Sequence, residues 1–557
     1  MSRIFGLKDR DATVLVGTLL ALKIALLFAL AWNRRIVMDE FAQLGWARYL
    51  PGALFHNIWP PKAVGFQVFI KLSHLIGWDA TSILLIGRIQ MALLACGTLA
   101  IVYSTSRTLG QSRLSALTVL LVLLSFSNFM ERIFETRAEP LAVFFAATSL
   151  LFAVRGNART RSIFVAGMIG GLAFLATQKS IYFNVALGLA LVGDAALGRR
   201  YAQGLARGAW LVAGWLIPVI AYCLVFGGSD PLAVAKNLLL GPLGVASSQT
   251  AAEYGGLRHY VMQTLLRNAV LYVFCVAGMI LASLRIRRLG PHDRIALIFS
   301  ITITALIFAH NQPWPYVFVM ALPFMALWAL EPIDAVASRA FLLPAAWAIL
   351  GVAIGASFIS NVFYLRIDNR AQLQLVARAE ALLGANDLYF DGISMLPNRP
   401  EPSTLWLDLH TILETRREGS HSQAYQVFAT TPPRLIIWSY RMDAIEAVVA
   451  PLIRDSYVRI APNIRLAGIR LHLGEQVRFN VPIGGTYALY GLNGEPLRAR
   501  LAINGAAYGL PVALRRGSTI VALENGPAEA LLVPQGHYAG RFEAAEDDKY
   551  LFAGVYN

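Results

Sequence analysis

The stretch TVLVGTLLALKIALLFALAWNRRIVMDE, residues 13–40, decides the class of fold. Residues 13–32 are almost entirely apolar, and about 20 such residues form a helix that crosses a bilayer core. Ala29-Leu30-Ala31 looks like a signal-peptide cleavage site, but the apolar run is long and further apolar segments follow it. We therefore interpret residues 13–32 as an uncleaved first span.

Apolar segments of this kind recur through the first two thirds of the chain. The 557 residues are 57% hydrophobic and only 15% charged, which excludes an array of soluble domains. We expect a polytopic α-helical membrane protein with about eleven transmembrane helices. The predicted spans are 13–32, 81–106, 113–129, 139–154, 162–178, 182–198, 208–227, 267–285, 294–310, 315–330 and 340–362.

The formal charge of +15 is unevenly distributed. Residues 363–557 carry 19 basic and 19 acidic side chains, so the whole excess lies in residues 1–362. With the N-terminus inside, the inner segments hold sixteen Lys and Arg against six Asp and Glu, as the positive-inside rule requires. This distribution excludes a nucleic-acid partner and predicts that everything after about residue 363 lies outside the cytoplasm. Three cysteines in apolar stretches suggest neither a zinc site nor a disulfide framework.

The C-terminal part is a different kind of sequence. A helical stretch (371–383) and short apolar runs such as Leu435–Trp438 predict a mixed α/β region over 363–465. From 466 to 557, alternating runs are separated by Gly484-Gly485, Asn493-Gly494 and Asn504-Gly505, which are hairpin signals. We predict a β-sandwich-like module there and a transmembrane catalytic domain over 1–362. The module either binds glycan or forms a structural cap.

Two adjacent carboxylates, Asp39 and Glu40, open the first external loop. Carboxylates just above a bilayer can supply a general base for a reaction at the membrane surface. The alternative is that one of them caps a helix N-terminus or is simply a solvated charge. The same loop continues through His56 and Lys62 into an amphipathic stretch, residues 66–76, that predicts a helix lying in the membrane interface.

Three further polar stretches are predicted on the same external side. They are residues 131–140 with Glu135, Arg137 and Glu139, residues 178–180 with Lys179, and residues 310–316 with His310 and Tyr316. Arg88 lies within the second span, where a guanidinium needs a carboxylate, a phosphate or water as its partner. Carboxylates gathered with Arg and Lys at the level of the headgroups suit a lipid-phosphate substrate. The alternative is that Arg88 pairs structurally with a loop carboxylate.

With these residues in place, residues 1 to about 362 resemble the GT-C glycosyltransferases that use polyprenyl-phosphate sugars, in particular the protein O-mannosyltransferase and lipid A aminoarabinose transferase group. The resemblance rests on the Asp39-Glu40 pair, the Pro-Pro segment with the interfacial helix, and Arg88. Residues 136–141 are similar to an Arg-x-Asp-Pro-Leu element with Glu139 in place of Asp. Residues 171–179 are similar to a Gly-Leu-Ala-x-Leu-x-Lys run with Lys179 displaced by one residue. Pro315-Tyr316, followed by Pro323, is similar to an aromatic-proline element before a late span.

The resemblance implies an inverting sugar transfer from a polyprenyl-phosphate donor to an extracytoplasmic hydroxyl of a glycan, lipid or protein, in a bacterial cytoplasmic membrane. Asp39 would act as general base, and Glu40 would orient the acceptor or support Asp39. Lys179, Arg137 and Arg88 would stabilise the departing phosphate. No cofactor is required on this basis, although a divalent metal near Glu131, Glu135 and Glu139 stays open. The substrate-pocket candidates are Glu139, Glu135, His56, Lys62, His259, Tyr260, His310 and Tyr316.

Two other functions stay open. A polysaccharide ligase or polymerase with an undecaprenyl-diphosphate donor would place basic and His residues in one large late loop, and residues 228–266 contain His259 and Tyr260. A lipid-linked sugar flippase would carry ionisable groups near the midplane and matched, broken helices in two halves. The sequence shows no internal duplication, which disfavours the flippase.

Overall fold

The computed structural model describes residues 9–52, 60, 62–156, 159–228, 230–248, 255–339, 341–536, 538 and 551–552. These residues form two compact units. The membrane unit comprises Met1–Arg34, Tyr49–Ser73 and Leu85–Ile367, and the C-terminal unit comprises Arg35–Arg48, His74–Leu84 and Asp368–Asn557. Our division at residues 362 and 465 was made from composition and stays a prediction.

Helices dominate the first 364 residues, and four more helices follow in the C-terminal unit. Up to residue 364 the helices are α1 Asp9–Asn33, α2 Met38–Ala47, α3 Gly65–Ile76, α4 Ala80–Thr108, α5 Arg113–Leu123, α6 Ser127–Arg132, α7 Ala138–Arg155, α8 Thr160–Ala176, α9 Ile181–Leu197, α10 Tyr201–Gly227, α11 Pro231–Ser248, α12 His259–Arg267, α13 Ala269–Leu284, α14 Pro291–Phe308, α15 Leu322–Ala326, α16 Glu331–Ala335 and α17 Leu342–Tyr364. Of these, α2 belongs to the C-terminal unit. The others of that unit are α18 Arg370–Ala381, α19 Leu409–Glu418, α20 Gln423–Thr430 and α21 Tyr440–Ile453.

The predicted class, a polytopic α-helical membrane protein, is confirmed, and the number of long spans is smaller than eleven. Within the described residues, seven helices are long and apolar enough to cross a bilayer, or eight if the pair α12 and α13, bent by 87°, counts as one span. Several predicted spans correspond to shorter apolar helices. The predicted span 113–129, for example, is α5 of 11 residues followed by the separate α6. The interfacial helix predicted at 66–76 is α3.

The predicted span 315–330 is not one helix. It consists of a 3₁₀ turn at Val317–Met320, the short α15 and further turns, and every residue from 315 to 330 is buried. Pro323 lies in the first turn of α15, where its missing N–H donor is tolerated, so the chain begins a new helix there. Irregular backbone of this kind can lie at membrane depth only when protein surrounds it. This segment therefore belongs to the core of the membrane unit.

Close helix packing in the membrane unit fixes the end of α8, which leads directly to Lys179. A side-chain Cβ at Gly167 of α8 would collide with the carbonyl oxygen of Leu211 in α10, and one at Gly214 of α10 would collide with the carbonyl of Phe164. Small residues let two helix backbones approach in this way. The two helices therefore form a rigid support for the turn that follows α8.

The first and last long helices of the membrane unit are joined by polar contacts. Lys23 in α1 is fully buried, and its ammonium donates to Asn361 Oδ1 at 2.7 Å and to Ser357 Oγ at 3.1 Å, both in α17. Apart from Leu350 and Asn361, the side chains of α17 are at least partly exposed. Its apolar surface suits contact with lipid rather than with protein.

The C-terminal unit contains an α/β sheet and a β-sandwich, as predicted for the C-terminal region. The α/β sheet has the order β1-β2-β4-β3, with β1 parallel to β2 and the other pairs antiparallel. The sandwich sheets have the orders β10-β7-β12-β5 and β6-β11-β8-β9 and share one apolar core. The strands are β1 Tyr389–Phe390, β2 Leu435–Ile437, β3 Tyr457–Ala461, β4 Ile464–Ala467, β5 Ile469–His472, β6 Gln476–Val481, β7 Gly485–Tyr490, β8 Leu501–Ile503, β9 Ala506–Tyr508, β10 Val512–Leu514, β11 Gly517–Leu523 and β12 Glu529–Pro534.

The hairpin signals had different outcomes. Asn504 and Gly505, with φ of 50° and 83°, form the two-residue turn between the paired strands β8 and β9. Gly484-Gly485 does not form a hairpin, because β6 and β7 belong to different sheets. A Gly-Gly pair permits a sharp change of direction, and the pairing of the flanking strands decides whether a hairpin results.

Candidate functional site

Five predicted site residues of the membrane unit come together although they lie in three distant parts of the sequence. We call Arg137, Glu139, Lys179, His310 and Tyr316 the Lys179 cluster. The Lys179 ammonium contacts Glu139 Oε1 at 2.8 Å, and Arg137 Nε lies 3.6 Å from Glu139 Oε2. Glu139 and Arg137 are buried, and the side chain of Lys179 is 26% exposed. Two cations thus share one carboxylate at a position that a ligand can reach.

Local structure explains how these charges are presented. Arg137 is the extended residue that precedes α7, and Glu139 lies in the first turn of that helix, where the exposed N–H groups favour a carboxylate. Thr177 is extended and ends α8, so Gln178–Ser180 form a separate 3₁₀ turn that carries Lys179. The two short breaks between helices bring backbone and side-chain donors to one place.

Aromatic rings contact the charged groups of the Lys179 cluster. The Arg137 guanidinium lies 3.3 Å from the centroid of the Tyr316 ring, and Lys179 Nζ lies 4.8 Å from the same centroid. Such contacts hold cations over the ring face without neutralising them. The phenol of Tyr182 and His310 Nδ1 are 3.0 Å apart and hydrogen bonded. The ring therefore orients the cations, and Tyr182 orients the imidazole.

Several polar atoms beside Lys179 are buried and have no hydrogen-bond partner among the described residues. They are His310 Nε2, Gln178 Nε2 and Ser180 Oγ. Buried polar atoms are nearly always hydrogen bonded, so a local concentration of open ones indicates a place where a ligand or water completes the bonding. Together with two cations on one carboxylate, this arrangement suits an anion with several acceptor oxygens, such as a phosphate.

A second charged cluster in the membrane unit was not recognised from the sequence. We call Arg34, Glu131, Arg132, Glu135 and Arg267 the Glu131 cluster. Glu131 contacts Arg34 at 3.1 Å and Arg267 at 2.6 Å, and Arg132 contacts Glu135 at 2.6 Å. Burial acts to raise the pKa of the Glu131 carboxyl, but the surrounding guanidiniums outweigh it and hold that pKa below its usual value.

Arg88 is buried in α4, and the structure gives it backbone partners. Its guanidinium donates to the carbonyl oxygens of Arg34 and Ala31, at and just after the C-terminal end of α1, and lies 5.6 Å from the Phe134 ring centroid. Carbonyls at a helix C-terminus carry partial negative charge and attract a cation. These contacts give Arg88 a role in fixing the chain where it leaves α1.

Asp39 and Glu40 belong to the C-terminal unit, in the first turn of α2. Glu40 is buried, and its carboxylate accepts the backbone N–H of Val37 at 2.9 Å, which is the acidic half of a helix-capping box. Asp39 is half-buried and adjacent to it. Of the pair, Glu40 stabilises the start of the helix, so Asp39 is the better candidate for chemistry.

The remaining candidates are less informative. His259 is exposed and interacts with the carbonyl of Gly256 in its own turn, while Tyr260 packs with its ring centroid 5.7 Å from that of Trp314. Lys62 is exposed, and His56 lies outside the described residues. Within the described ranges, no three His, Cys, Asp or Glu side chains are close enough to hold a metal ion.

Two domain families of unknown function match the C-terminal unit. One, DUF7056, covers residues 413–466, and the other, DUF7055, covers residues 469–534. Their boundary coincides with the step from the α/β sheet to the sandwich. No curated protein matches the chain in sequence.

Solved structures give the fold. An oligosaccharyltransferase from Archaeoglobus fulgidus, tethered to an acceptor peptide, has a TM-score of 0.50 at 12% identity and covers 90% of this chain and 76% of its own. The same enzyme with an inhibitory peptide and a dolichol-phosphate has a TM-score of 0.49 at 12% identity, and the match covers 90% of this chain and 76% of that one. ArnT from Cupriavidus metallidurans, bound to undecaprenyl phosphate, has a TM-score of 0.46 at 16% identity, and the match covers 79% of this chain and 77% of that one. At these identities the likeness concerns the fold alone, and at that level it agrees with the predicted GT-C-like fold.

Proposed function

We propose that this protein is a membrane glycosyltransferase that transfers a sugar from a polyprenyl-phosphate carrier to an acceptor hydroxyl, with inversion at the anomeric carbon. The observation that carries the proposal is the Lys179 cluster, in which two cations share one carboxylate beside open polar atoms. The GT-C fold supports the reaction class. The finer assignments below rest on the residues of this chain.

The carrier phosphate is the group that we assign to the Lys179 cluster. In the transfer, the bond between the anomeric carbon and the carrier oxygen breaks, and its electron pair passes to the phosphate. Lys179 and Arg137 stabilise that developing charge, since preoriented cations cost no reorganisation during the reaction. Glu139 holds Lys179 in place at 2.8 Å, and the Tyr316 ring holds Arg137. Arg88 stays a third candidate for the carrier phosphate, and its contacts with the carbonyl oxygens of Arg34 and Ala31 also let it position the chain near α1.

Asp39 is the residue that we assign to the acceptor. The acceptor oxygen forms the new bond to the anomeric carbon, and its proton passes to the Asp39 carboxylate as that bond forms. Glu40 supports Asp39 indirectly, because its capping bond to Val37 fixes the first turn of α2. Two carboxylates that are adjacent in sequence thus have different tasks.

The orientation and compartment follow as part of the same proposal. The excess of Lys and Arg in short loops favours an N-terminus inside the cytoplasm, and the first span then places Arg35–Arg48 of the C-terminal unit outside. We assign the protein to a bacterial cytoplasmic membrane, with an extracytoplasmic glycan, lipid or protein as acceptor.

The test is Asp39→Asn in purified full-length protein reconstituted with polyprenyl-monophosphate sugars and total envelope extract as acceptor. We expect transfer to fall by at least about 10²-fold, because Asn cannot take the proton. The matched control is Asp408→Asn, at the N-cap of α19, where Asn caps as well as Asp. Turnover retained in Asp39→Asn would remove the assignment. Activity with diphosphate donors alone would favour the ligase alternative.

A further inference from the structure

Two side chains in the first turn of α21 contact the residue that precedes Asp39. The phenol of Tyr440 donates to Met38 Sδ at 2.7 Å, and Arg441 Nη2 donates to the same sulfur at 3.2 Å. Both residues open α21, which follows β2 after Trp438 and Ser439. All of these residues belong to the C-terminal unit.

The donors of Tyr440 and Arg441 are poorly satisfied. A thioether sulfur is a weak acceptor, so the phenol and the guanidinium both point at an atom that a stronger acceptor would replace. Arg441 Nε is buried and has no hydrogen-bond partner among the described residues. Nor, within the described part of the chain, does a carboxylate lie at ion-pair distance from Arg441. A half-buried guanidinium in this state has capacity for an anion.

The nearby acidic groups are directed elsewhere, apart from Asp39. Asp443, in the first turn of α21, accepts from the indole of Trp438 at 2.5 Å, and Glu446 pairs with Arg465 at 3.7 Å. Burial raises the pKa of the Tyr440 phenol, and the Asp39 carboxylate raises it further, while Arg441 acts in the opposite direction. Tyr440 therefore stays a protonated donor beside Asp39. The N-terminus of α21 adds its partial positive charge at the same place.

We propose that Arg441 and Tyr440 bind an anionic group, a phosphate or a carboxylate, on the acceptor whose hydroxyl Asp39 deprotonates. This inference rests on the proposed function. In an inverting transfer the acceptor approaches one face of the anomeric carbon, and the carrier phosphate leaves from the opposite face. Groups beside the general base therefore face the acceptor. The acceptor is then a sugar phosphate, a phosphorylated lipid sugar or an acidic sugar, and not a neutral compound that offers only hydroxyl groups.

The experiment measures binding to the purified full-length protein in detergent. The probes are glucose 6-phosphate and glucuronate as anionic sugars, glucose as the neutral match, and farnesyl phosphate as a short carrier. The variants are Arg441→Gln, Arg441→Lys and Tyr440→Phe, with Arg454→Gln as the matched control at the far, exposed end of α21. Melting temperatures verify that each variant folds.

We expect Arg441→Gln to weaken binding of both anionic sugars at least tenfold and to leave farnesyl phosphate binding unchanged. Arg441→Lys keeps the charge and should lose less, Tyr440→Phe should lose two- to fivefold, and Arg454→Gln should bind like the wild type. If Arg441→Gln fails to fold, Arg441→Lys and Tyr440→Phe decide the matter by the same comparison.

Two outcomes would overturn the inference. One is unchanged binding of the anionic sugars in the Arg441 variants. The other is loss of farnesyl phosphate binding in Arg441→Gln, which would assign the anion to the carrier. Failure of the proposed function is detected separately, because it appears as retained transfer in Asp39→Asn, a variant that this binding assay does not use.

Discussion

The Lys179 cluster and the Glu131 cluster lie in the same unit and carry the same formal charge of +1, but they differ in how closely their arginines pair with carboxylates. In the Glu131 cluster each arginine contacts a carboxylate at 3.1 Å or less. In the Lys179 cluster, Arg137 lies against a ring, and three neighbouring polar atoms are open. Net charge alone therefore does not identify a binding site. The open polar atoms beside Lys179 are what supports the proposed phosphate site.

The largest effect is expected for a substitution that tests whether the Glu131 cluster stabilises the folded membrane unit. Glu131→Gln leaves buried guanidiniums without their common carboxylate, and breaking a buried pair costs about 3–5 kcal/mol. Thermal unfolding in detergent should show a large loss of stability. The control is Glu331→Gln, whose partner Arg285 is half-exposed, with an expected loss of about 0–1 kcal/mol. Equal melting temperatures for the two variants would contradict the structural role.

The next effect tests the Lys179 cluster as a phosphate site. Lys179→Ala should lower kcat/KM for the polyprenyl-phosphate donor by about 10²–10³-fold, as does the loss of one preoriented charge-stabilising donor. The melting temperature should fall less than in Glu131→Gln, because Lys179 is partly exposed and Arg137 still pairs with Glu139. Lys236→Ala, at an exposed position of α11, is the matched control. Donor kinetics equal to those of the control would remove Lys179 from the site.

The smallest expected effect concerns Asp391, a fully buried carboxylate. Burial, and then the neighbouring Glu401 carboxylate, raise the pKa of Asp391 in the C-terminal unit to about 7. The folded chain then keeps a proton that the unfolded chain loses near pH 4, so stability should fall as the pH rises from about 4 to 7. The expected loss is at most about 1.4 kcal/mol for each pH unit in that range.

Asp391→Asn should flatten this dependence, and Glu524→Gln, at an exposed position, should not. Melting temperatures of the three proteins between pH 4 and pH 8 provide the measurement. Parallel curves for the wild type and Asp391→Asn would show that Asp391 ionises normally, as it would if the backbone N–H groups of Ile393, Ser394 and Met395 outweighed its burial.

The sequence predicted the parts of the Lys179 cluster because charged residues at the ends of apolar segments are costly and therefore rare. It did not predict the Glu131 cluster, since Arg34 and Arg267 lie 97 and 136 residues from Glu131, and only helix packing brings them together. The contact of Arg441 with Met38 spans 403 residues and involves an unremarkable arginine after a strand. Hydropathy also predicted one membrane span over residues 315–330. A buried irregular segment carries side chains as apolar as those of a helix in lipid, so hydropathy does not distinguish the two.

The contact between Lys23 and Asn361 has a consequence for biosynthesis. The two residues are 338 positions apart, and a ribosome adds roughly 5–20 residues per second. Roughly half a minute therefore separates the synthesis of the lysine from that of its amide partner. During this interval the new first helix carries a cation at a position that is fully buried in the finished protein. Insertion of α17 supplies the hydrogen-bond acceptors of the Lys23 ammonium. Truncation before α17 should therefore leave a nascent chain that the membrane quality-control machinery recognises.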